Sequence, residues 1–139
     1  MIDLALLWVC IGLFLVRVIG QIEVLLISPA WLPPMSAWYS GLLPYYLLLP
    51  CQIVLLMLMC LMAINAASAR SMLRRWSVLL TFCWCFSIVY FAGMVTRLAV
   101  VLAHYGSQFY LHGAIPVAFH WVLALFLFVW ARRARVTPT

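Results

Sequence analysis

The sequence predicts an all-α integral membrane protein, built as a bundle of four transmembrane helices. Hydrophobic residues make up 70% of the chain and charged residues only 7%, with a mean hydropathy of +1.22. A water-soluble domain is closer to about half apolar and about a quarter charged. Four continuous apolar stretches reach the roughly 20 residues that a helix needs to cross a hydrocarbon core of about 30 Å. Because these runs lack period-2 alternation, helices are favoured over the strands of a barrel.

The four stretches are predicted to form one domain, residues 1–139. The first runs from about residue 2 to 27, the second from about 47 or 51 to 68, the third from about 77 to 104, and the fourth from about 114 to 131. No basic segment precedes the first stretch, and no clear small-residue cleavage site follows it. We therefore expect an uncleaved span instead of a signal peptide.

Arginines predict the orientation of the spans. They form two clusters, one between spans two and three and one after span four: Arg70, Arg74, Arg75, and Arg132, Arg133, Arg135. Because two spans separate the clusters, both can face the cytoplasm, as the positive-inside rule favours. This predicts an N-in/C-in topology. The net charge of +6 is too small and too divided for a nucleic-acid surface, so we expect no nucleic-acid partner and read these arginines as topology determinants and lipid contacts.

The segment of about residues 28 to 46 is predicted to be an outer loop. It is rich in proline, which stiffens the chain, and in aromatic residues that settle at headgroup depth: Trp31, Trp38, Tyr39, Tyr45 and Tyr46. We expect an interfacial aromatic belt. The functional alternatives are a lid over an outer-leaflet cavity or a docking surface for another subunit.

Within this loop, Pro29-Ala30-Trp31-Leu32-Pro33-Pro34 resembles the Pro-x-Trp-x-Pro-Pro loop of the TspO/translocator family. The resemblance covers six residues, that family has five spans, and the rest of the chain provides no further match. We attribute the resemblance to interfacial composition and infer neither fold nor function from it.

Polar side chains inside the spans give the main functional clue, since such groups face a bundle interior, a partner or a water-filled site. All fall in the outer half of the predicted spans, and we take them as candidate ligand-binding residues: Arg17, Gln21, Glu23, Gln52, Arg97 and His120. Glu23 and Arg97 are expected to pair across helices, either to fix helix register or as part of a pocket for a polar head.

Span three contains a seven-residue repeat of Cys83, Tyr90, Arg97 and His104. A seven-residue period keeps side chains on one face of a helix, with a drift of about 20° per heptad. We expect this face to point into the bundle or toward a partner.

His104, His112 and His120 are candidates for metal binding or haem ligation on the outer side. Their spacing contains no His-x-His or His-x-x-x-His pair, so we expect interfacial or hydrogen-bonded histidines instead. The cysteines and methionines are expected to serve packing. With only two acidic residues, the chain offers no evident catalytic set, and we expect no enzyme activity.

These observations favour three functions, in order. The first is a non-enzymatic small subunit of a larger membrane assembly, possibly a bioenergetic one, which docks through its helix faces and outer loop. The second is a redox or lipid module that binds quinone, haem or lipid through the outer polar cluster. The third is a small homo-oligomeric transporter. Expected partners are membrane lipids and other membrane subunits, and the short loops favour a bacterial inner membrane.

Overall fold

The structure, a computed structural model, describes residues 2–38, 44–67, 77–106 and 114–136, which form five helices. These are α1 (Ile2–Leu26), α2 (Met35–Trp38), α3 (Tyr45–Ala67), α4 (Ser77–Tyr105) and α5 (Ala114–Val136). All regular secondary structure in the described residues is helical. Four of the helices, all except α2, are long and apolar enough to cross a membrane. The prediction of an all-helical chain with four apolar, membrane-length helices is confirmed.

Three sets of residues used in the sequence analysis lie outside the described residues. They are the arginines between spans two and three, an aromatic residue of the outer loop and a candidate metal ligand. These residues are Arg70, Arg74 and Arg75, then Tyr39, and then His112.

Polar groups at its two ends define the limits of α1. Asp3 lies in the first turn, where the positive end of the helix dipole stabilises its negative charge. At the other end Ser28 adopts a left-handed conformation with φ of 47°, and its Oγ donates a hydrogen bond of 2.9 Å to the carbonyl of Val24. Pro29 follows and cannot continue the helix. The first span therefore ends where the sequence changes from apolar residues to Ser-Pro.

Proline and glycine also mark the ends of the other long helices. The carbonyl of Pro44 accepts hydrogen bonds from the amides of Leu47 and Leu48, which form the first turn of α3. Pro116 lies in the first turn of α5, where its missing N–H would have no helical partner. Gly106, with φ of 53°, follows the last residue of α4, as glycine commonly does at helix ends.

Helix α5 is the centre of the bundle. It packs against every other helix, most extensively against α4 and α1, whereas α3 packs mainly on α1. Ring contacts between Trp84 and Phe128 and between Tyr90 and His120 show that α4 and α5 run antiparallel. Among the described residues, α4 makes extensive contact with α5 alone.

The core of the bundle is apolar and is drawn from all four long helices. Its fully buried members with the largest side chains are Leu7 of α1, Met59 of α3 and Phe126 of α5. Leu80 of α4 is also buried in this cluster. Burial of these side chains fixes how the helices face one another. A separate, more polar region lies nearer to the end of the bundle where α1 ends and α5 begins.

Three arginines near the end of α5 each contact a different helix. Arg132 pairs with Asp3 of α1, and Arg133 Nε donates a 3.0 Å hydrogen bond to the carbonyl of Ala66 of α3. The guanidinium of Arg135 lies 5.2 Å from the ring centre of Trp84 of α4. We call this the arginine end of the bundle, defined by Asp3 and Arg132 to Arg135. The opposite end, where α1 ends and α5 begins, is the loop end.

Candidate functional site

A cavity of about 260 Å³ lies in the half of the bundle nearer the loop end. All five helices contribute to its wall, which is largely apolar, with residues such as Phe14 of α1 and Leu55 of α3. Six of the lining side chains carry polar or titratable groups: Arg17, Trp38, Cys51, Gln52, Tyr90 and His120. An apolar chamber with a few convergent polar groups is the usual form of a small-molecule site.

Arg17 is held in place by a neighbour on its own helix. Its Nη1 donates a 3.2 Å hydrogen bond to Oε1 of Gln21, which lies four residues later and therefore on the same helix face. Both side chains are buried, and the Arg17 guanidinium lies 5.4 Å from the ring centre of Phe119. Gln21 and Phe119 thus orient a cationic group toward the cavity.

Gln52 offers a hydrogen-bond acceptor in the same cavity. Its side chain is only 6% exposed, and no donor among the described residues reaches its Oε1. A buried carbonyl oxygen without a partner is unfavourable by about 1–3 kcal/mol, so such groups call for an explanation. A bound ligand that donates a hydrogen bond would supply the missing partner.

His120 joins the polar groups of α4 and α5. Its Nδ1 is hydrogen-bonded to the carbonyl of Pro116 one turn earlier, which requires the proton on Nδ1. Its ring lies 5.8 Å from that of Tyr90, centre to centre. Arg17 and His120 line the same cavity, so a guanidinium and an imidazole share this chamber. When neutral, the imidazole therefore presents Nε2 as a hydrogen-bond acceptor.

The short helix α2 covers the cavity at the loop end through Trp38. This side chain is 7% exposed, lines the cavity, and donates a 3.1 Å hydrogen bond from Nε1 to the carbonyl of Pro33. Its ring lies against Gly20 of α1, where an added Cβ would be 2.9 Å from Cη2. The sequence had placed Trp38 in an aromatic belt, but in the structure it is packed inside. Gly20 was the only local signal of this close approach.

The structure brings together three of the six candidate ligand-binding residues. Arg17, Gln52 and His120 line the cavity, and Gln21 orients Arg17. Arg97 is half-buried on α4 and is not among the residues that line the cavity. Tyr90, which the sequence placed only in the seven-residue repeat of span three, is a lining residue in addition.

The expected pair of Glu23 and Arg97 needs correction. Among the described residues the ion pair is between Asp3 and Arg132, and none joins Glu23 to Arg97. The reason is the arrangement of the helices, since α1 and α4 each pack extensively on α5 and not on each other. Similar depth in the sequence did not make these two residues neighbours, and Glu23 is not among the residues that line the cavity.

The histidines do not assemble a metal site in the part of the chain that the structure describes. No group of three His, Cys, Asp or Glu side chains there could hold a metal ion. His104 is exposed near the end of α4, with its ring 6.4 Å from that of Tyr105, whereas His120 lies in the cavity.

No protein-family model matches this chain, and neither a curated protein nor a solved structure matches it significantly.

Proposed function

We propose that the chain is a membrane module that binds the polar head of an amphiphile, a quinone, haem or lipid, in the cavity beneath Trp38. The observation that supports this most is the convergence of Arg17, Gln52 and His120 from three helices on one chamber with apolar walls. Polar and ionisable side chains within membrane-spanning helices are costly and usually mark a ligand or ion site. Here they are grouped, and not scattered among separate structural contacts.

The chemistry of the lining suits a head that both accepts and donates hydrogen bonds. Arg17 donates, whereas Oε1 of Gln52 and the Nε2 of a neutral His120 accept. The apolar wall suits the first atoms of a hydrophobic tail. A membrane amphiphile combines both features, which a small water-soluble solute does not.

The test is to identify molecules that remain bound after gentle detergent extraction and to block the cavity. Leu55 lines the cavity, while Leu58 on the same helix is exposed, so the matched variants are Leu55→Trp and Leu58→Trp. We expect mass spectrometry to detect a bound amphiphile in the unaltered protein and in Leu58→Trp, and its loss in Leu55→Trp. Equal retention by both variants, or a protein that carries nothing, would refute the proposal.

A small, non-enzymatic subunit of a larger membrane assembly is the second candidate. Helix α4 has 29 residues and packs extensively on α5 alone, so much of its apolar surface is exposed, including Phe82 at 63% and Val89 at 70%. A partner helix could cover this surface, as lipid could. Native mass spectrometry of protein extracted from its own membrane separates the cases. Copurifying polypeptides favour the subunit, and a complex of identical chains favours the third candidate, a small transporter.

We further propose that the arginine end faces the cytoplasm of a bacterial inner membrane and that residues 28 to 46 face outward. The pairing of Asp3 with Arg132 places both described chain ends at one end of the bundle, as an N-in/C-in topology requires. The positive-inside rule favours the cytoplasm for that end. Reporter domains fused to either terminus should both be active in the cytoplasm. Activity of either one on the outer side would reverse the orientation.

A further inference from the structure

The cavity wall holds one permanently charged side chain, and its charge is positive. The chain has two acidic residues, Asp3 and Glu23. Asp3 pairs with Arg132 at the arginine end, and Glu23 is not a lining residue. The cavity wall therefore holds the Arg17 guanidinium and no carboxylate, and Arg97 brings a second positive charge to the helix face of α4 that carries the lining residue Tyr90.

From this arrangement we infer that the bound amphiphile carries a phosphate-type anionic head with a hydroxyl group beside it. The phosphate oxygens accept from Arg17, and the hydroxyl donates to the acceptors Gln52 Oε1 and His120 Nε2. This rests on the proposed function and narrows it to one ligand chemistry. Guanidinium groups bind phosphate oxygens through charge-assisted hydrogen bonds, which are stronger than neutral ones and gain further strength in an apolar surrounding. The positive charges of Arg17 and Arg97 repel a cationic head. They attract an anionic head more strongly than a neutral one.

The same arrangement indicates where the tail leaves the cavity. Both α3, through Gln52 and Leu55, and α4, through Tyr90, supply parts of the wall. Among the described residues, however, α3 and α4 do not pack extensively on each other. The cavity therefore spans a gap between these two helices, through which an acyl or prenyl chain reaches the surrounding lipid.

Arg97 occupies a position suited to attract the head at this gap. It lies seven residues after Tyr90 on α4 and so shares its helix face, but it is not one of the lining residues. A long arginine side chain near a helix end extends toward the headgroup layer while its stem lies along apolar surface. We therefore assign Arg97 to the rim of the site and Arg17 to its interior.

The experiment is native mass spectrometry of the full chain, delipidated and then titrated with two probes that share the same acyl chains. These are phosphatidylglycerol, which carries a phosphate, and diacylglycerol, which does not. We expect phosphatidylglycerol to bind about tenfold more tightly, as one or two charge-assisted hydrogen bonds would give. Equal binding of the two probes would overturn the anionic head. If a neutral quinone then proved to be the bound amphiphile, the proposed function would stand without this inference.

Variants separate a site from general attraction of anionic lipid. Arg17→Gln and Arg97→Gln should each weaken phosphatidylglycerol binding by about tenfold, whereas Arg135→Gln, at the arginine end, should leave it unchanged. Because Arg97 is only half-buried, its variant remains informative if Arg17→Gln does not fold. An equal loss in Arg135→Gln would reduce the effect to surface charge and overturn the site.

Inorganic phosphate distinguishes a lipid from a free anion. It shares the head-group chemistry but has no tail to occupy the gap between α3 and α4. We expect it to compete with phosphatidylglycerol only weakly. If inorganic phosphate binds alone and displaces the lipid fully at similar concentration, the ligand is a free anion and the assignment of an amphiphile is wrong.

Discussion

The indole ring of Trp38 fills the space beside Gly20 that any larger residue would need. A Cβ at position 20 would lie 2.9 Å from Cη2 of this ring, closer than such contacts normally are. Since Trp38 also lines the cavity and is held by the carbonyl of Pro33, this contact joins the outer loop to α1 at the edge of the candidate site. The glycine allows the loop to close over the cavity.

Substitution Gly20→Ala should therefore loosen this cover. The ring must move by several tenths of an ångström, and such overpacking typically destabilises a core by about 1–3 kcal/mol. Gly12→Ala on the same helix is the control, because nothing lies within 4 Å of a Cβ there. We expect Gly20→Ala to lower the unfolding temperature in detergent and to release bound amphiphile faster. A Gly20→Ala protein that matches Gly12→Ala in both measurements would show that the contact is not structurally important.

The two buried glutamines should respond oppositely to replacement by leucine. Oε1 of Gln52 has no donor among the described residues, so Gln52→Leu removes an unsatisfied polar group and should raise the free energy of unfolding by about 1 kcal/mol. Oε1 of Gln21 accepts a bond from Arg17, and Gln21→Leu should lower it by about 1.5–3 kcal/mol. Gln52→Leu should nevertheless weaken ligand retention.

Denaturant titration of both variants, alongside a ligand-retention assay, measures these effects. A gain in stability together with a loss of binding is the signature of a residue kept for its ligand. If Gln52→Leu proved as destabilising as Gln21→Leu, the amide would have a structural role and the cavity would lose one of its three polar anchors.

At the arginine end, Arg132 and Arg133 should contribute unequally to stability. The pair of Arg132 with Asp3 is partly exposed, with side-chain exposures of 49% and 24%, and such ion pairs contribute about 0–1 kcal/mol. Arg133 instead donates to the carbonyl of Ala66 at the end of α3, where helical partners are missing.

We expect Arg133→Met to lower the free energy of unfolding by about 1 kcal/mol and Arg132→Met by less than about half of that. Since methionine preserves most of the apolar stem, the comparison isolates the polar contact. Raising the salt concentration should remove the Arg132 effect and leave the Arg133 effect, because the latter bond is to a neutral carbonyl. The reverse order of stabilities would contradict this account.

The sequence was sufficient to predict the four long helices because each is a continuous apolar run of the length that a membrane crossing requires. It was less exact at the boundaries. Pro50 lies inside α3, which begins at Tyr45, although a proline there lacks the N–H that would bond to the carbonyl of Tyr46. Helix α5 continues to Val136, past the predicted end near residue 131, since its arginines contact the neighbouring helices.

The candidate site was only partly predictable, because a sequence gives the depth and face of a residue but not the order of helices around the bundle. Arg17, Gln52 and His120 converge as their depth suggested. Glu23 and Arg97 do not meet, since α5 lies against both of their helices. The sequence did not predict that Trp38 lines the cavity, because the direction in which a loop folds depends on contacts such as the one with Gly20.

Cysteine reactivity provides a direct measure of cavity occupancy. Cys51 is exposed and lines the cavity, while Cys85 is exposed on α4 and is not a lining residue. A small maleimide should therefore modify both in delipidated protein, and Cys85 should be the slower of the two, because a thiol that faces detergent forms less of the reactive thiolate. Phosphatidylglycerol bound in the cavity should slow the modification of Cys51 by about tenfold, the factor by which a tenfold excess of ligand over its dissociation constant reduces the free site.

Cys85 should react at an unchanged rate, and peptide mass spectrometry over time reads both residues in one sample. Equal slowing at the two cysteines would mean that lipid shields the whole surface, and no slowing at Cys51 would mean that the head binds elsewhere.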